Sequence, residues 1–216
     1  MSTGAVKLAG SHSKDRPEFN GFEFDSAIRA QKGVFCGIDE AGRGPLAGDV
    51  YAAAVILPED VMIEGVNDSK KLSARKREFL YDEIIDKADA YCIATASVAE
   101  IEQLNILNAA MLAMKRAVEG LKKSPSLALV DGNKAPELDI PVMTVLQGDA
   151  KSASIAAASI LAKVARDRYM LELDKKYPEY QFAKHKGYGT KLHYEMLSRY
   201  GLCPEHRPSF FRKHKV

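Results

Sequence analysis

Two neighbouring carboxylic acids, Asp39 and Glu40, stand at the end of an apolar run and lead into the glycine-rich segment GIDEAGRGPLAG at residues 37–48. Neighbouring carboxylates raise each other's pKa unless a positive charge lies between them, and a divalent metal ion supplies such a charge. Two further acids, Asp131 and Asp149, each close an apolar run beside a glycine. Acids at several strand ends of an α/β sheet converge in the crevice where such folds bind ligands.

These four acids would give a binding site made only of oxygen ligands. Oxygen ligands favour Mg²⁺ or Mn²⁺ over zinc. Two such ions about 4 Å apart would hold the attacking water and the leaving oxygen during phosphodiester hydrolysis. The alternative for any single acid is a turn former or a helix cap, but four in this setting favour a shared site.

The strands and helices that would position these acids can be predicted from the sequence pattern. Apolar runs predict five strands, at GVFCGID, GDVYAAAVIL, AYCIATASV, LALVDG and PVMTVLQGD, with the last two ending at the acids Asp131 and Asp149. A glycine-rich turn joins the first two strands, which are therefore predicted to be antiparallel. The fold class is α/β, with a mixed sheet in a layered structure.

Helical spacing predicts four helices. The first begins after a Ser73 N-cap, the second covers AEIEQLNILNAAMLAMKRAVEGLKK as one element, and the last starts near Thr190. The long third helix runs from Lys151 to Pro178, and its small residues would let its backbone lie close against the sheet. We interpret its serines, Ser152, Ser154 and Ser159, as small packing residues.

The chain has 216 residues, 46% hydrophobic and 28% charged, which fits one soluble domain with an appended piece. We expect a flexible N-terminal lead-in at 1–32, the main domain at 33–177, and a helical, basic substrate-binding portion at 178–216. Formal charge is −6 over residues 1–150 and +8 over 151–216, which suits an acidic metal site facing a basic platform for a polyanion. A solvated basic helix and tail would give the same charge.

Three cysteines, Cys36, Cys92 and Cys203, stand far apart, which favours neither a disulfide framework nor a thiolate zinc site. A reducing, cytoplasmic location is therefore expected. The start of the chain lacks the apolar stretch of a signal peptide, and no run approaches the ~20 apolar residues of a membrane span.

Six stretches of the sequence resemble the successive motifs of ribonuclease HII, in the order and spacing of that family. They are GIDEAGRGPLAGDVYAAAVIL, NDSKKLS, VDG, GDAKSASIAAASILAKVARDR, KHKGYGT and CPEHRPSF. The resemblance covers residues 33–210, and motifs this long and this numerous are highly specific. One departure is Gln181, which stands where glycine is usual in the family.

The resemblance implies a ribonuclease H-like fold: a mixed five-stranded sheet flanked by helices, with a small helical C-terminal portion. It implies a monomeric endonuclease that uses Mg²⁺ or Mn²⁺ at a two-ion site. Its substrates would be RNA/DNA hybrids and duplex DNA with a single embedded ribonucleotide, cut 5′ to the ribonucleotide to leave 3′-hydroxyl and 5′-phosphate ends. Such an activity would remove RNA primers and misplaced ribonucleotides.

Matching motif positions assigns roles to individual residues. The metal-binding catalytic carboxylates become Asp39, Glu40, Asp131 and Asp149, the GRG motif falls on Gly42, Arg43 and Gly44, and the substrate-sensing tyrosine is Tyr188. Glycines without a β-carbon let backbone groups reach a 2′-hydroxyl, which distinguishes RNA from DNA. Arg43 would hold a phosphate bidentately; the alternative is a surface ion pair with Glu40 or Asp49.

The remaining substrate contacts are assigned to an aromatic ring and to basic side chains. Tyr188 would stack on the sugar or base of the nucleotide after the ribose, and the alternative is a core anchor for the last helix. Backbone phosphates would be contacted by Lys70, Lys71, Lys163 and Arg166, which position a duplex without reading its sequence.

Rival functions explain less of the sequence. The segment GRGPLAGD lacks the Gly-Lys-Ser/Thr ending of a phosphate-binding loop, and the spacing around His193 and His206 does not support zinc. A nucleic-acid-binding protein without catalysis would explain the basic C-terminal part but not four acids that repel phosphates. Ribonuclease HIII carries a larger N-terminal domain than 32 residues would allow. The basic, aromatic tail HRPSFFRKHKV could contact a replication clamp or polymerase, although a disordered end looks the same.

Overall fold

A five-stranded mixed sheet is the centre of the computed structural model, which describes residues 20–211. Its strands are β1 (Phe35–Ala41), β2 (Val50–Ile56), β3 (Ala90–Ala96), β4 (Leu127–Asp131) and β5 (Val142–Val145). Their order across the sheet is β3-β2-β1-β4-β5. The β1–β2 and β2–β3 pairs are antiparallel, whereas β1–β4 and β4–β5 are parallel. The predicted mixed sheet and antiparallel first hairpin are confirmed.

Helices cover both faces of this sheet, and the last two pack on another helix instead of on the sheet. They are α1 (Gly21–Lys32), α2 (Ala74–Lys87), α3 (Val98–Leu104), α4 (Ile106–Glu119), α5 (Ala153–Lys176), α6 (Phe182–His185) and α7 (Lys191–Tyr200). Ser73 caps α2 by accepting a hydrogen bond from the Lys76 amide, and Thr190 caps α7 in the same way. Both predicted helix starts are confirmed.

The single helix predicted after β3 is instead two helices, because the chain turns at Asn105. This residue has a left-handed backbone with φ of 69°. Its side chain accepts hydrogen bonds from the amides of Leu107 and Asn108. Asparagine tolerates this conformation and caps helices well, so it ends α3 and starts α4. Periodicity alone could not show this break, because apolar residues continue on both sides.

Successive side chains of β2 pack against different layers of helices. Ala52, Ala54 and Ile56 belong to the core on the α4 side, whereas Ala53 and Val55 belong to the core on the α5 side. Side chains alternate between the two faces of a strand, so a strand buried on both faces is apolar throughout. This explains why β2 reads as a continuous apolar run.

The first half of α5 lies directly against β1. A β-carbon on Gly37 would lie 2.2 Å from the carbonyl carbon of Ser154, far inside contact distance. The segment from Ala156 to Ala158 is completely buried. The small residues of α5 thus permit the close approach that the sequence predicted.

Helix α1 corrects the expected boundary at residue 32, because residues 21–32 belong to the main domain. The buried carboxylate of Asp25 accepts hydrogen bonds from the Ser152 hydroxyl at 2.6 Å and from the Ser154 amide at 2.8 Å. The Ser152 and Ser154 side chains therefore bind α1 and do more than fill space. Residues 1–19, where the rest of the lead-in was expected, lie outside the described part of the chain.

The C-terminal helices share a core with the main domain. Met170 and Leu173 of α5 pack with Phe182, Leu197 and Phe211. The same cluster includes Leu46 and Ala47 from the loop after β1. The predicted helical C-terminal portion thus lies on the second half of α5 and on the glycine-rich loop. Within residues 20–211, no helix combines the length and apolar character needed to cross a membrane.

We expect Gly37→Ala to lower the free energy of unfolding by about 1–3 kcal/mol or more, because the new methyl group must separate β1 from α5. Gly44→Ala is the matched control, since a β-carbon there meets only the Tyr188 ring at 3.7 Å, an ordinary contact. Urea unfolding of both variants measures the difference. Equal stabilities would show that the α5 contact does not require glycine.

Candidate active site

Three carboxylates converge at one edge of the sheet. Asp39 lies near the end of β1, and Asp131 is the last residue of the neighbouring parallel strand β4. Asp149 lies in a short helical turn after β5. Each offers one carboxylate oxygen, and these oxygens all lie within 4.8 Å of one another. Parallel strands end at the same edge of the sheet, which explains why residues almost a hundred positions apart meet.

Asp149 reaches this cluster differently from the sequence prediction. The strand β5 ends at Val145, not at Asp149, and the chain then turns through Gln147, which has a left-handed φ of 54°. Asp131 Oδ1 accepts a hydrogen bond of 2.6 Å from the amide of Gly148. This bond holds the turn against β4 and so positions Asp149.

Burial and mutual repulsion disfavour the charged forms of these acids. Asp39 is only 4% exposed, and burial raises its pKa well above the ordinary value. The charges of Glu40, Asp131 and Asp149 raise the pKa of Asp39 further. Burial also raises the pKa of Asp149, with repulsion from Asp68 and Asp131 adding to it. A divalent cation would relieve this repulsion, and an oxygen-only donor set fits Mg²⁺ or Mn²⁺.

Glu40 lies outside this group of three and pairs with Arg43. The Arg43 Nη1 and Glu40 Oε1 atoms are 3.1 Å apart. Burial raises the pKa of Glu40, and the charge and hydrogen bond of Arg43 oppose that rise. The ion pair considered as an alternative for Arg43 is therefore present, although half of the Arg43 side chain remains exposed.

The loop after β1 faces an open pocket of about 280 Å³ beside the carboxylates. Its lining includes Asp39, Glu40, Gly42, Arg43, Gly44 and Tyr188. Tyr188 is 44% exposed, and its ring lies next to Gly44. Such exposure does not fit the alternative of a core anchor. The structure thus brings the GRG residues and Tyr188 to the same pocket.

The predicted phosphate contacts differ in their availability. Lys70 is mostly exposed, and its Nζ lies 3.4 Å from Asp149 Oδ2. Lys71 is also exposed and lies 3.9 Å from an Asp68 carboxylate oxygen. Lys163 lines the pocket, but its Nζ forms a 2.6 Å ion pair with Asp167 on the same helix. Lys70 and Lys71 are therefore the freer of these three lysines.

Arg166 requires a correction, because it has no exposed surface for a phosphate. Its guanidinium donates hydrogen bonds to the backbone carbonyls of Ala47, Asp49 and Lys186 at 3.0–3.2 Å. A β-carbon on Gly42 would lie 2.2 Å from Arg166 Nε, so this glycine leaves room for the arginine. Arg166 thus belongs to the wall of the pocket, but its guanidinium supports the loop from below through these hydrogen bonds.

Sequence reasoning missed a second buried arginine, Arg207. It is completely buried and donates hydrogen bonds to carbonyl oxygens of the glycine-rich loop. Burial lowers its pKa to about 9, with the charge of Arg166 adding to this effect. The motif CPEHRPSF contains Arg207, but its partners are backbone atoms, which leave no pattern in the sequence.

His193 and His206 form a buried hydrogen-bonded pair. Their Nε2 atoms are 3.0 Å apart. Burial lowers the pKa of each to about 4, so both are neutral at physiological pH. Within residues 20–211, the group of acids is the cluster suited to a metal ion, and these histidines are not part of it.

Comparison with known proteins identifies a family. The model of the ribonuclease HII family matches residues 36–214. A ribonuclease HII from Albidiferax ferrireducens is 59% identical over 178 residues, which is 82% of this chain and 86% of the relative.

Solved structures give the same picture. The ribonuclease H2 of Pyrococcus horikoshii OT3 is 29% identical, with a TM-score of 0.68 over 82% of this chain and 93% of that one. The PCNA:RNase HII complex of Archaeoglobus fulgidus matches at 25% identity with a TM-score of 0.64, covering 85% of this chain and 96% of that one. The predicted resemblance and the ribonuclease H-like fold are confirmed.

In EDTA, we expect Asp39→Asn to raise the free energy of unfolding by on the order of 1 kcal/mol. A neutral amide does not carry the cost of a buried charge, and the neighbouring carboxylates do not repel it. The folded-state pKa of Asp39 is raised, so the cost of its charge is fully present above that pKa and disappears as pH falls through it. The advantage of the variant should therefore be largest above the raised pKa and shrink as pH falls through it towards the ordinary range of an aspartic acid. Denaturant unfolding at several pH values measures it.

Asp60→Asn, at an exposed acid, is the control and should change stability little at any pH. Added Mg²⁺ or Mn²⁺ should raise the unfolding temperature of the wild type more than that of Asp39→Asn, because a ligand that binds the folded state stabilises it. A variant less stable than wild type in EDTA at every pH of the series would contradict the account of repulsion.

Proposed function

This chain belongs to the ribonuclease HII family, and on that premise we propose that it is a metal-dependent endonuclease that cuts 5′ to ribonucleotides. Its substrates are RNA/DNA hybrids and duplex DNA containing single ribonucleotides, and its products carry 3′-hydroxyl and 5′-phosphate ends. The observation that carries the proposal is the convergence of Asp39, Asp131 and Asp149 beside a pocket that also contains the GRG residues and Tyr188.

The carboxylates fit a site for two divalent ions. Asp39, Asp131 and Asp149 would hold the ions, with Glu40 completing the set from the adjacent position on β1. Bound Mg²⁺ or Mn²⁺ supplies positive charge that stabilises the phosphate in the transition state and lowers the pKa of water. The buried position of Asp39 and the bond from Gly148 to Asp131 keep these ligands in place before any ion arrives.

The GRG residues are suited to recognising a ribose. Gly42, Arg43 and Gly44 line the pocket, and the backbone amides of Arg43 and Gly44 have no acceptor among residues 20–211. A 2′-hydroxyl accepts as well as donates hydrogen bonds, so it can take one from such an amide. The absence of a side chain at Gly44 leaves room for the sugar.

Tyr188 and the basic side chains would bind the rest of the substrate. The exposed ring of Tyr188 lies beside Gly44, where it can stack on the next nucleotide and test whether that nucleotide is DNA. Arg43 can exchange its exposed ion pair with Glu40 for a phosphate, because such pairs contribute little stability. Lys70 and Lys71 are exposed and available for the backbone.

A sliding-clamp partner is a further part of the proposal. The solved complex of an archaeal ribonuclease HII with PCNA supports it. The C-terminal tail remains the predicted contact, but Phe211 is buried in the protein's own core and residues 212–216 lie outside the described part of the chain. A monomeric state and a cytoplasmic location also remain predictions.

The decisive test is cleavage of a labelled DNA duplex with one ribonucleotide, run with Mg²⁺, Mn²⁺ or EDTA beside an all-DNA duplex and a long hybrid. We expect a metal-dependent cut 5′ to the ribose and no cut in the all-DNA duplex. Degradation of the long hybrid alone would contradict the roles of the GRG residues and Tyr188. Binding of both substrates without cutting would favour a non-catalytic binding protein.

Asp39→Asn should reduce cutting about 1,000-fold or more, because the ion site loses a charged ligand. Binding of the hybrid should remain largely intact, as measured by fluorescence anisotropy. Asp60→Asn removes an exposed acid that does not line the pocket and should leave both properties unchanged. If Asp39→Asn still cuts like the wild type, Asp39 does not take part in the reaction.

A further inference from the structure

Two consecutive residues outside the pocket, His206 and Arg207, are linked by hydrogen bonds to the two proposed recognition elements. Arg207 binds the glycine-rich loop directly, and His206 is linked to Tyr188 through His193. His206 is 1% exposed and Arg207 is completely buried. Neither lines the pocket. Their burial and their hydrogen bonds give them a role that the proposed chemistry has not used.

Arg207 binds the underside of the glycine-rich loop. Its Nη2 atom donates to the Gly42 carbonyl at 2.8 Å, and its Nη1 atom donates to the Pro45 carbonyl at 2.8 Å. Nη1 also lies 3.3 Å from the Arg43 carbonyl, and Nε lies 2.8 Å from the Gly48 carbonyl. Within the described residues it has no salt bridge, so these carbonyls compensate for burial of the charge.

This arrangement fixes the direction of the loop's amides. In a trans peptide unit the carbonyl and the following N–H point in opposite directions. Because the carbonyls of Gly42 and Arg43 face Arg207, the amides of Arg43 and Gly44 face away from it. These are the amides that have no acceptor in the described part of the chain. Arg207 thus presets two hydrogen-bond donors without touching a substrate.

His206 reaches the other recognition element through His193. His193 Nδ1 lies 3.0 Å from the Tyr188 carbonyl, which can only accept, so this nitrogen carries the proton. In a neutral ring Nε2 of His193 is then an acceptor, and His206 Nε2 must donate to it. The other ring nitrogen of His206 accepts from the Cys203 amide at 2.9 Å. The chain of bonds therefore has one direction and ends at Tyr188.

Backbone hydrogen bonds also join the glycine-rich loop to the segment around Tyr188. The amide of Arg207 donates to the Leu46 carbonyl at 2.9 Å, and the amide of Leu46 donates to the Gly187 carbonyl at 2.8 Å. Ala47 and His206 form a bridge of the β type. The loop, the segment around Tyr188 and the His206–Arg207 pair are thus one hydrogen-bonded unit.

We propose that His206 and Arg207 are positioning residues that fix the amides of the GRG residues relative to the ring of Tyr188. The proposal rests on the function proposed above, in which the loop senses the ribose and Tyr188 senses the following nucleotide. A single embedded ribonucleotide offers one position at which a ribose is followed by a deoxyribonucleotide. A long hybrid offers many ribose contacts, so it tolerates a poorly placed sensor better. The two residues would therefore govern selectivity for single ribonucleotides.

The test compares kcat/KM on a single-ribonucleotide duplex with kcat/KM on a long hybrid. Arg207→Lys keeps the charge but cannot donate to four carbonyls, so the ratio of the two values should fall between about tenfold and 100-fold, the cost of misplacing groups by around 1 Å. Arg199→Lys, at an exposed arginine of α7, should leave the ratio unchanged. Thermal unfolding of each variant separates misplacement from loss of folding.

Two variants of His206 test the hydrogen bonds from His206 through His193 to Tyr188, independently of Arg207. His206→Gln retains a donor near the Nε2 position and should keep most of the wild-type ratio. His206→Asn lacks a donor that reaches His193 and should lower the ratio by about tenfold. Both remove the ring but differ in side-chain volume, so thermal unfolding of the two variants is measured as well, and a role limited to packing would make the ratio follow their stabilities.

The outcomes distinguish this inference from the proposed function. Wild-type cutting of both substrates with an unchanged ratio in Arg207→Lys and in His206→Asn would overturn the inference alone. Equal losses on both substrates, tracking the loss of thermal stability, would also overturn it. A wild-type protein that cuts neither substrate would overturn the proposed function, and the inference with it. A lowered ratio in Arg207→Lys and His206→Asn, with rescue in His206→Gln, would support it.

Discussion

The backbone of α5 lies against β1 at Gly37 with no side chain between them. The positions of the carboxylates, of α1 and of the C-terminal portion all depend on this contact. The helix has 24 residues and is therefore about 36 Å long. Its first half packs on the strand that carries Asp39, and α1 binds its start through Asp25. Its second half supplies Arg166 and the core of the C-terminal portion. One rigid element thus joins the carboxylates to the proposed recognition elements.

Buried charges of opposite sign lie at the carboxylate cluster and beneath the glycine-rich loop. The acids repel one another, with Asp39 and Asp149 almost completely buried. Beneath the loop, Arg166 and Arg207 are buried without an acidic partner among residues 20–211. Their hydrogen bonds to backbone carbonyls give the guanidinium groups acceptors, but these neutral partners do not cancel the positive charge. The protein thus leaves on one side a field for cations and on the other a field for phosphates, which are the two parts of the proposed complex.

Local signals predicted the parts of the structure that depend on neighbouring residues: the strands, the first hairpin, the Ser73 cap and the acids at the ends of β1 and β4. Contacts between distant residues could not be predicted. Asp25 binds Ser154 across 129 positions, and Arg207 binds Gly42 across 165. Arg166 was expected at a phosphate because sequence does not show which side of a helix is covered. The left-handed φ of 57° at Gln181 explains why glycine is usual there.

The dependence of the loop on Arg207 has a consequence for biosynthesis. A chain emerging from the ribosome contains the loop at residues 42–48 long before it contains Arg207, since 159 positions separate Gly48 from that arginine. The sheet and its acids can form from the earlier part of the chain, but the loop lacks its buried support until residues 205–207 have been added. A chain that stops before these residues would therefore hold the acidic cluster without the buried support of the proposed recognition loop. The addition of residues 205–207 is what gives the loop its hydrogen-bond partners.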